Sequence, residues 1–402
     1  MKLAPEGDWM LGEDFTKRAK HHESIKALWE TKWKFPCSIG VYPFHDGKLE
    51  DFEPVFQYLI ENNINDAYTD AYTTAFFPTC DALLAKAESE TLAKNHAEAS
   101  SLYFRIAALY RISRFPIMNS PIKYQAWEAQ KAAYLKATAN WVDPLTEELI
   151  PHTFRTEEEG EHIPVYVRVP VTASAAKPVP TMLLITGLDG YRPDNTQRSY
   201  EFVSRGWGVV IVEIPGTADS PADAKDPSSP DRLWDSVFKW MRERKIFDMK
   251  SVVSWGLSCG GYYAVRIAHT HAKQLKGSVA QGAGVHHFFG EGWLRKADDH
   301  EYPFDLSPAL AQKYGYSSPE ELFKGAQEKF SLLSTGIVQK PSCRLLLING
   351  THDGLMPIED SLLLMNHGSP KEARFFPNLL HMGYPVSNNS IYPWLEGVMA
   401  SC

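Results

Sequence analysis

The chain has 402 residues, of which 44% are hydrophobic and 22% charged, and a net charge of −8. That length can bury a large core in two or three domains. The acidic balance and the lack of a dense Lys/Arg cluster exclude nucleic acid and an anionic membrane surface as expected partners. The five cysteines, Cys37, Cys80, Cys259, Cys343 and Cys402, are scattered without a C-x-x-C pair, against both a disulfide framework and a thiolate zinc site.

The opening "MKLAPEGDWMLGED" has no apolar leader core, and no run is apolar for the length of a membrane span. The closing "MASC" is neither a prenylation box nor a peroxisomal signal, so a cytoplasmic location with no membrane span is expected. Residues 1–146 read as a helical domain. Phe52, Val55, Phe56, Leu59 and Ile60 form a helical stripe, and Leu102, Ile106, Leu109 and Tyr110 form a second. The Ala/Lys/Glu-rich stretch 81–100 predicts the partner of an αα-hairpin, and a further helix is expected over 122–140. One such hairpin without a fixed period does not make a helical solenoid.

Residues 147–402 change pattern. Stretches 150–155 and 163–171 predict a β-hairpin. Short apolar runs at 181–186, 208–214, 251–255, 277–280 and 344–348 then alternate with helical stretches. That alternation predicts a mostly parallel sheet with helices on both faces. Two insertions, 215–230 and about 285–341, follow strand ends where α/β folds bind ligands.

Chemistry concentrates in "SVVSWGLSCGGYYA". A strand runs into Gly256-Leu257-Ser258-Cys259-Gly260 and a helix, expected over 261–272, leaves it: the strand-turn-helix of a nucleophile elbow. Chance supplies about 0.1 such G-x-S-x-G matches in a chain of this size. A serine needs a base, and the base needs an orienting acid. In this fold the order is Ser, acid, His. Downstream, "RLLLINGTHDG" offers Asp353, with Asp219 and Asp189 as rivals. His381 in "HMGYP" is the expected base; His367 reads as a helix C-terminus, and His352 precedes the acid. Cys259 is expected to give a backbone N–H to the oxyanion hole, its thiol packing rather than reacting. The amide of Leu188, or of Gly187, in "TGLDGY" is the expected second donor. His269-x-His271 and His286-His287 lack carboxylate or thiolate company at ligand spacing, and no nucleotide-binding glycine motif is present, so no metal or cofactor is expected.

Beyond the elbow, "TGLDGYRPDN", "EIPGTADSPAD", "LHMGYP", "SIKALWETKWKFPCSIGVYPFHDG", "NNINDAYTDAY", "YRISRFP" and "SPDRLWDSV" resemble the fungal polyketide-shortening hydrolases of naphthalene-melanin synthesis, the yellowish-green conidial pigment family. The likeness extends over nearly the whole chain, with Cys259 departing from the small residue expected there. It implies an α/β-hydrolase fold with an N-terminal helical lid. It also implies carbon–carbon hydrolysis that removes an acyl chain from an aromatic polyketide to give 1,3,6,8-tetrahydroxynaphthalene. Asp189, Tyr191, Asp219, Tyr262 and Tyr263, with the "HHFFGEGW" stretch, are then the candidates to hold a flat polyphenol. A general carboxylesterase with the same triad is the alternative. The acyl chain, acetyl or acetoacetyl, and the oligomeric state stay open, an exposed helical domain being compatible with a homodimer.

Overall fold

The structure, a computed structural model, describes residues 9–401. Residues 1–8 and Cys402, on which the readings of both termini partly rest, lie outside the described residues. The chain divides into two compact units, and the boundary differs from a single cut at residue 146. Among the described residues, 9–17 group with the sheet-bearing unit and 189–196 with the helical one.

In the helical unit, the helix Leu49–Glu61 buries Phe52, Val55, Phe56 and Leu59 of the stripe read from the sequence, while Ile60 at its edge is half-buried. The expected hairpin is Phe77–Leu92 against His96–Ser113; its turn includes Lys94 at φ 60°. Pro121–Thr138 follows, with the Ser120 hydroxyl accepting from the Lys123 amide at its first turn. A buried charge network explains why 189–196 belongs here. The Asp194 carboxylate accepts from Arg111 Nε at 2.6 Å, Arg114 Nη2 at 2.8 Å, Gln130 Nε2 at 2.7 Å and the Tyr191 amide at 2.7 Å. Burial alone would raise its pKa, but the two guanidiniums outweigh that and hold it below the usual carboxylate value.

The other unit carries one eight-stranded sheet: β1 (Leu145–Pro151), β2 (His162–Arg168), β3 (Val179–Ile185), β4 (Gly208–Val212), β5 (Phe247–Leu257), β6 (Gly277–Gln281), β7 (Arg344–Gly350) and β8 (Glu372–Phe376). Their order is β1-β2-β4-β3-β5-β6-β7-β8. β2 runs antiparallel to β4, and every pairing from β4 to β8 is parallel, an α/β-hydrolase arrangement. β1 and β2 end earlier than expected. Residues beyond β1 turn instead around the buried Glu159 carboxylate, which accepts from the Thr156 amide at 2.9 Å and from Arg232 Nε at 2.8 Å. Register aligns the strand ends: Ile185 faces Gly256, Leu257 faces Gln281, and Gln281 faces Ile348. The loops that follow β3, β5 and β7 therefore leave the same edge of the sheet.

The insertion at 285–341 adds helices Glu291–Leu294, Ser307–Lys313 and Pro319–Phe330. Lys313 at the end of the second is wholly buried. Its Nζ donates to Pro215 O and to the Tyr263 hydroxyl, each at 2.6 Å. Burial pushes its pKa down to about 7. A neutral amine still has the two N–H groups that these bonds require.

Candidate active site

The elbow is dictated by glycine sterics. Ser258 sits between β5 and the helix Cys259–Thr270 at φ 56° and ψ −122°, a conformation disfavoured for any side-chain-bearing residue. A Cβ on Gly256 would fall on the Gly260 carbonyl oxygen, and one on Gly260 would fall on the Thr186 carbonyl oxygen. Strand, turn and helix thus approach too closely for any residue larger than glycine at either position. The Ser258 amide is anchored to Gln281 O at 2.8 Å, and the Ser258 carbonyl accepts from the Gly261 amide at 2.7 Å. The helix begins two residues before the expected 261.

Around this serine the structure brings together the three side chains singled out above. His381 Nε2 lies 2.8 Å from Ser258 Oγ, and its Nδ1 lies 2.7 Å from Asp353 Oδ2. Asp353 is 2% exposed. Its Oδ1 accepts from the amides of Leu355 (2.7 Å) and Met356 (2.8 Å), and its Oδ2 from Asn349 Nδ2 (2.7 Å) as well as from His381. With the carboxylate so held, the Nδ1 proton points at Asp353 and Nε2 is left to accept from the serine hydroxyl. Such a chain can withdraw the hydroxyl proton as oxygen attacks a carbonyl.

Three positioning side chains escaped the sequence reading. Asn349 Oδ1 accepts from the amides of Gly350 and Met382, each at 2.9 Å, tying the acid's strand to the histidine's loop. Gln281 Nε2 donates to Met382 O at 3.2 Å and Ser387 Oγ at 2.9 Å, while its Oε1 accepts from Trp255 Nε1 at 3.0 Å. Glu301, from the insertion, accepts from the His381 amide at 3.0 Å and the Gly354 amide at 3.1 Å. The one available hint was position: Gln281 ends β6 and Asn349 is the last residue but one of β7, just before the loop that carries Asp353. Glu301, Asp353 and His381 also offer ligand atoms within 4.8 Å of one another, a spacing that could hold a metal ion. His381 Nδ1 and Asp353 Oδ2 of that set are already engaged with each other.

The remaining candidates fall in different places. Gly187 packs on the elbow, where an added Cβ would lie 3.1 Å from Leu257 O and 3.4 Å from Ser258 Cβ, so Leu188 follows directly beside the serine. Cys259 opens the helix, at the end where the dipole is positive. Its buried side chain lies within electrostatic reach of Tyr263 and Lys313. Tyr262, expected in the binding wall, is buried. Its hydroxyl donates to Phe330 O at 2.9 Å and its ring packs edge-on to Phe289, so the insertion takes it into the core. Tyr191 is buried as well. It lies in the helical unit, with the Arg114 guanidinium 3.8 Å from its ring centre and Trp127 edge-on. Asp189 belongs to that unit too and accepts from the Tyr42 hydroxyl at 2.6 Å. Asp219 is half-buried in the loop after β4, next to Ala218 at φ 48°. His269 bonds Lys340 O, and burial pushes its pKa down to about 4; His271 faces Asp235 at 3.3 Å.

The family model of FrsA-like esterases matches residues 80–400. Esterase FrsA of Escherichia fergusonii is 23% identical over 305 residues, 73% of this chain and 69% of its own. Esterase FrsA of Escherichia coli K12 shows the same identity and coverage. Among solved structures, the 2,6-dihydroxy-pseudo-oxynicotine hydrolase superposes with a TM-score of 0.68 at 15% identity, over 82% of this chain and 89% of its own. AbyA5 does so with a TM-score of 0.59 at 18% identity, over 79% and 86%. Both likenesses concern the fold.

Proposed function

The chain belongs to the FrsA-like esterase family, a hydrolase of the α/β-hydrolase superfamily, and on that premise we propose that Ser258 is its nucleophile, His381 its general base and Asp353 the orienting acid. The observation that carries this reading is the unbroken chain from Ser258 Oγ through both ring nitrogens of His381 to Asp353. The amides of Cys259 and Leu188 are the proposed oxyanion donors, each worth about 3–4 kcal/mol to the transition state.

The proposed substrate is an aromatic polyketide ketone, and its support is the sequence resemblance to polyketide-shortening hydrolases. Ser258 oxygen bonds to the side-chain carbonyl carbon while His381 takes the hydroxyl proton. Collapse breaks the bond between that carbon and the ring. The departing electron pair is tolerable because an ortho phenol, in its keto form, makes the leaving carbanion an enolate. Protonated His381 returns its proton to the ring carbon. Water then hydrolyses the acyl-serine ester, releasing the acid and restoring the hydroxyl. The product is 1,3,6,8-tetrahydroxynaphthalene. An N-terminal helical domain and a cytoplasmic setting belong to the same proposal; no helix among the described residues is long and apolar enough to cross a membrane. The second reading is a plain carboxylesterase, favoured by the family's name.

The test is a product assay on the protein beside Ser258→Ala, with a naphthopyrone heptaketide and with 2-acetyl-1,3,6,8-tetrahydroxynaphthalene. Tetrahydroxynaphthalene is expected from one of them, with the rate about 10⁶-fold lower in the variant. No product from either, alongside brisk hydrolysis of p-nitrophenyl acetate, would leave the esterase reading standing.

A further inference from the structure

Past the loop that carries Asp353, the helix Ile358–Leu364 holds a second buried carboxylate, Asp360, which is 0% exposed. Its Oδ1 accepts from the His287 amide at 2.7 Å, and its Oδ2 from the amides of Val285 at 2.7 Å and Phe288 at 3.0 Å. The His286 amide is shared between the two oxygens at 3.1 and 3.2 Å. Four consecutive backbone N–H groups, at the start of the 285–341 insertion, thus end on one side chain. A buried N–H has no water to fall back on, so this stretch is fixed where the carboxylate is.

Between that anchor and the end of β6 lies Gly282-Ala283-Gly284, which touches each part of the proposed catalytic chain. Gly282, at φ 75° with its amide donating to Ile348 O at 2.8 Å, packs on the base: an added Cβ would lie 2.7 Å from His381 Cε1 and 3.2 Å from its Nδ1. Ala283 packs on the helix that leaves the elbow, since a Cβ on Gly261 would fall 3.1 Å from Ala283 Cα. Gly284 packs on the acid loop. An added Cβ there would lie 2.7 Å from Sδ of Met356, whose amide donates to Asp353 Oδ1 at 2.8 Å. Elbow, acid loop and base are therefore spaced by a backbone segment with almost no side chains of its own. Its two ends fix it: β7 holds one, and Asp360 the other.

We infer that Asp360 is a positioning residue for the proposed base, its carboxylate pinning the far end of the 282–284 spacer and so the seat of the His381 ring. This rests on the reading of Ser258, His381 and Asp353 as the catalytic chain. An amide cannot stand in for the carboxylate. Oδ1 alone serves His287, and Oδ2 alone serves Val285 and Phe288. Whichever way an asparagine faces, its NH2 group meets a backbone N–H, donor against donor. The stretch must move away on that side, and the spacer with it.

The test uses the full chain, with urea unfolding to show that each variant is folded. Asp360→Asn is expected to lower kcat for p-nitrophenyl acetate by about 10- to 100-fold with KM little changed, a misplacement effect. Labelling of Ser258 by a fluorophosphonate should slow in parallel. In Asp360→Ala the amides face the space the carboxylate left. Sodium formate, itself a carboxylate, is expected to restore part of kcat there, and sodium chloride at equal ionic strength is not. Gln327→Ala removes the bond to the His286 carbonyl but leaves the amides paired, and should keep the parent's kcat. Gly282→Ala leaves the anchor whole and pushes the spacer against the ring; it should lower kcat with KM unchanged even if the Asp360 variants do not fold. Parental kcat in folded Asp360→Asn or in Gly282→Ala, a rise in KM that accounts for the loss, no recovery in formate, or an equal loss in Gln327→Ala overturns the inference. Labelling also separates the two readings. Unlabelled parent protein sinks the proposed function, whereas labelled parent protein with any of those results sinks this inference alone.

Discussion

Asp353→Asn is the sharpest perturbation of the site, because the hydrogen bonds decide which way the new amide faces. Oδ1 of the acid meets two backbone amides, of Leu355 and Met356, which cannot be turned around. The asparagine oxygen must take that place, and its NH2 group falls where Oδ2 now accepts from Asn349 and His381. Asn349 cannot invert in compensation, since its own oxygen serves the Gly350 and Met382 amides. His381 Nδ1 must then become an acceptor, and the ring proton moves to Nε2, facing Ser258. A base that already carries its proton there cannot take the serine's. The expected loss is about 10⁴-fold in kcat with KM nearly unchanged, equivalent to about 5 kcal/mol at 1.36 kcal/mol per tenfold. The donor-to-donor contact at Asn349 costs about 1–3 kcal/mol of stability besides. Steady-state hydrolysis of p-nitrophenyl acetate measures the first effect, and denaturant unfolding the second. A kcat within about tenfold of the parent, or about 1.4 kcal/mol, would refute the tautomer reasoning.

Two further outcomes concern buried charge. Lys313, with its pKa pushed to about 7 when folded against the ordinary lysine value of 10.5, binds fewer protons folded than unfolded between those values. Parental stability should therefore rise with pH across that window, by up to about 1.4 kcal/mol per unit; Lys313→Met should lack this contribution, and parallel pH profiles in urea unfolding would contradict it. Asp194, held below its ordinary 3.8 by Arg111 and Arg114, stabilises the fold above that value and loses the contribution as pH falls through its folded value. Asp194→Asn should cost about 3–5 kcal/mol at neutral pH, and the gap to the parent, read from unfolding midpoints, should close on acidification.

The elbow was legible because its requirement is local. Gly256, Ser258 and Gly260 sit within five residues, and their spacing reflects how closely a strand, a turn and a helix can approach. The parallel strands were legible for a similar reason: sheets covered on both faces read as continuous apolar runs. Strand ends were less so. β1 stops at Pro151 because Glu159 pairs with Arg232, a partner 73 residues away. The order of Ser258, Asp353 and His381 along the chain named the three groups, but their union depends on contacts spanning 123 and 28 residues.

What the sequence determined by itself was the chemistry available and the elements that carry it. What the tertiary structure decided was where polar side chains from distant segments point. Gln281, Asn349 and Glu301 look like ordinary polar residues until the strand ends align and three loops need their backbone amides and carbonyls satisfied. The rings of Tyr191 and Tyr262 read as exposed aromatics, and only the fold shows them buried beside Arg114 and Phe330. Asp194 draws residues 189–196 into the helical unit because a buried carboxylate must find its countercharges, and these lie about 80 residues earlier in the chain. Periodicity carries the pattern of burial along one segment. It carries nothing about the partner that a buried polar group will find, since that partner is brought near only when the chain closes on itself.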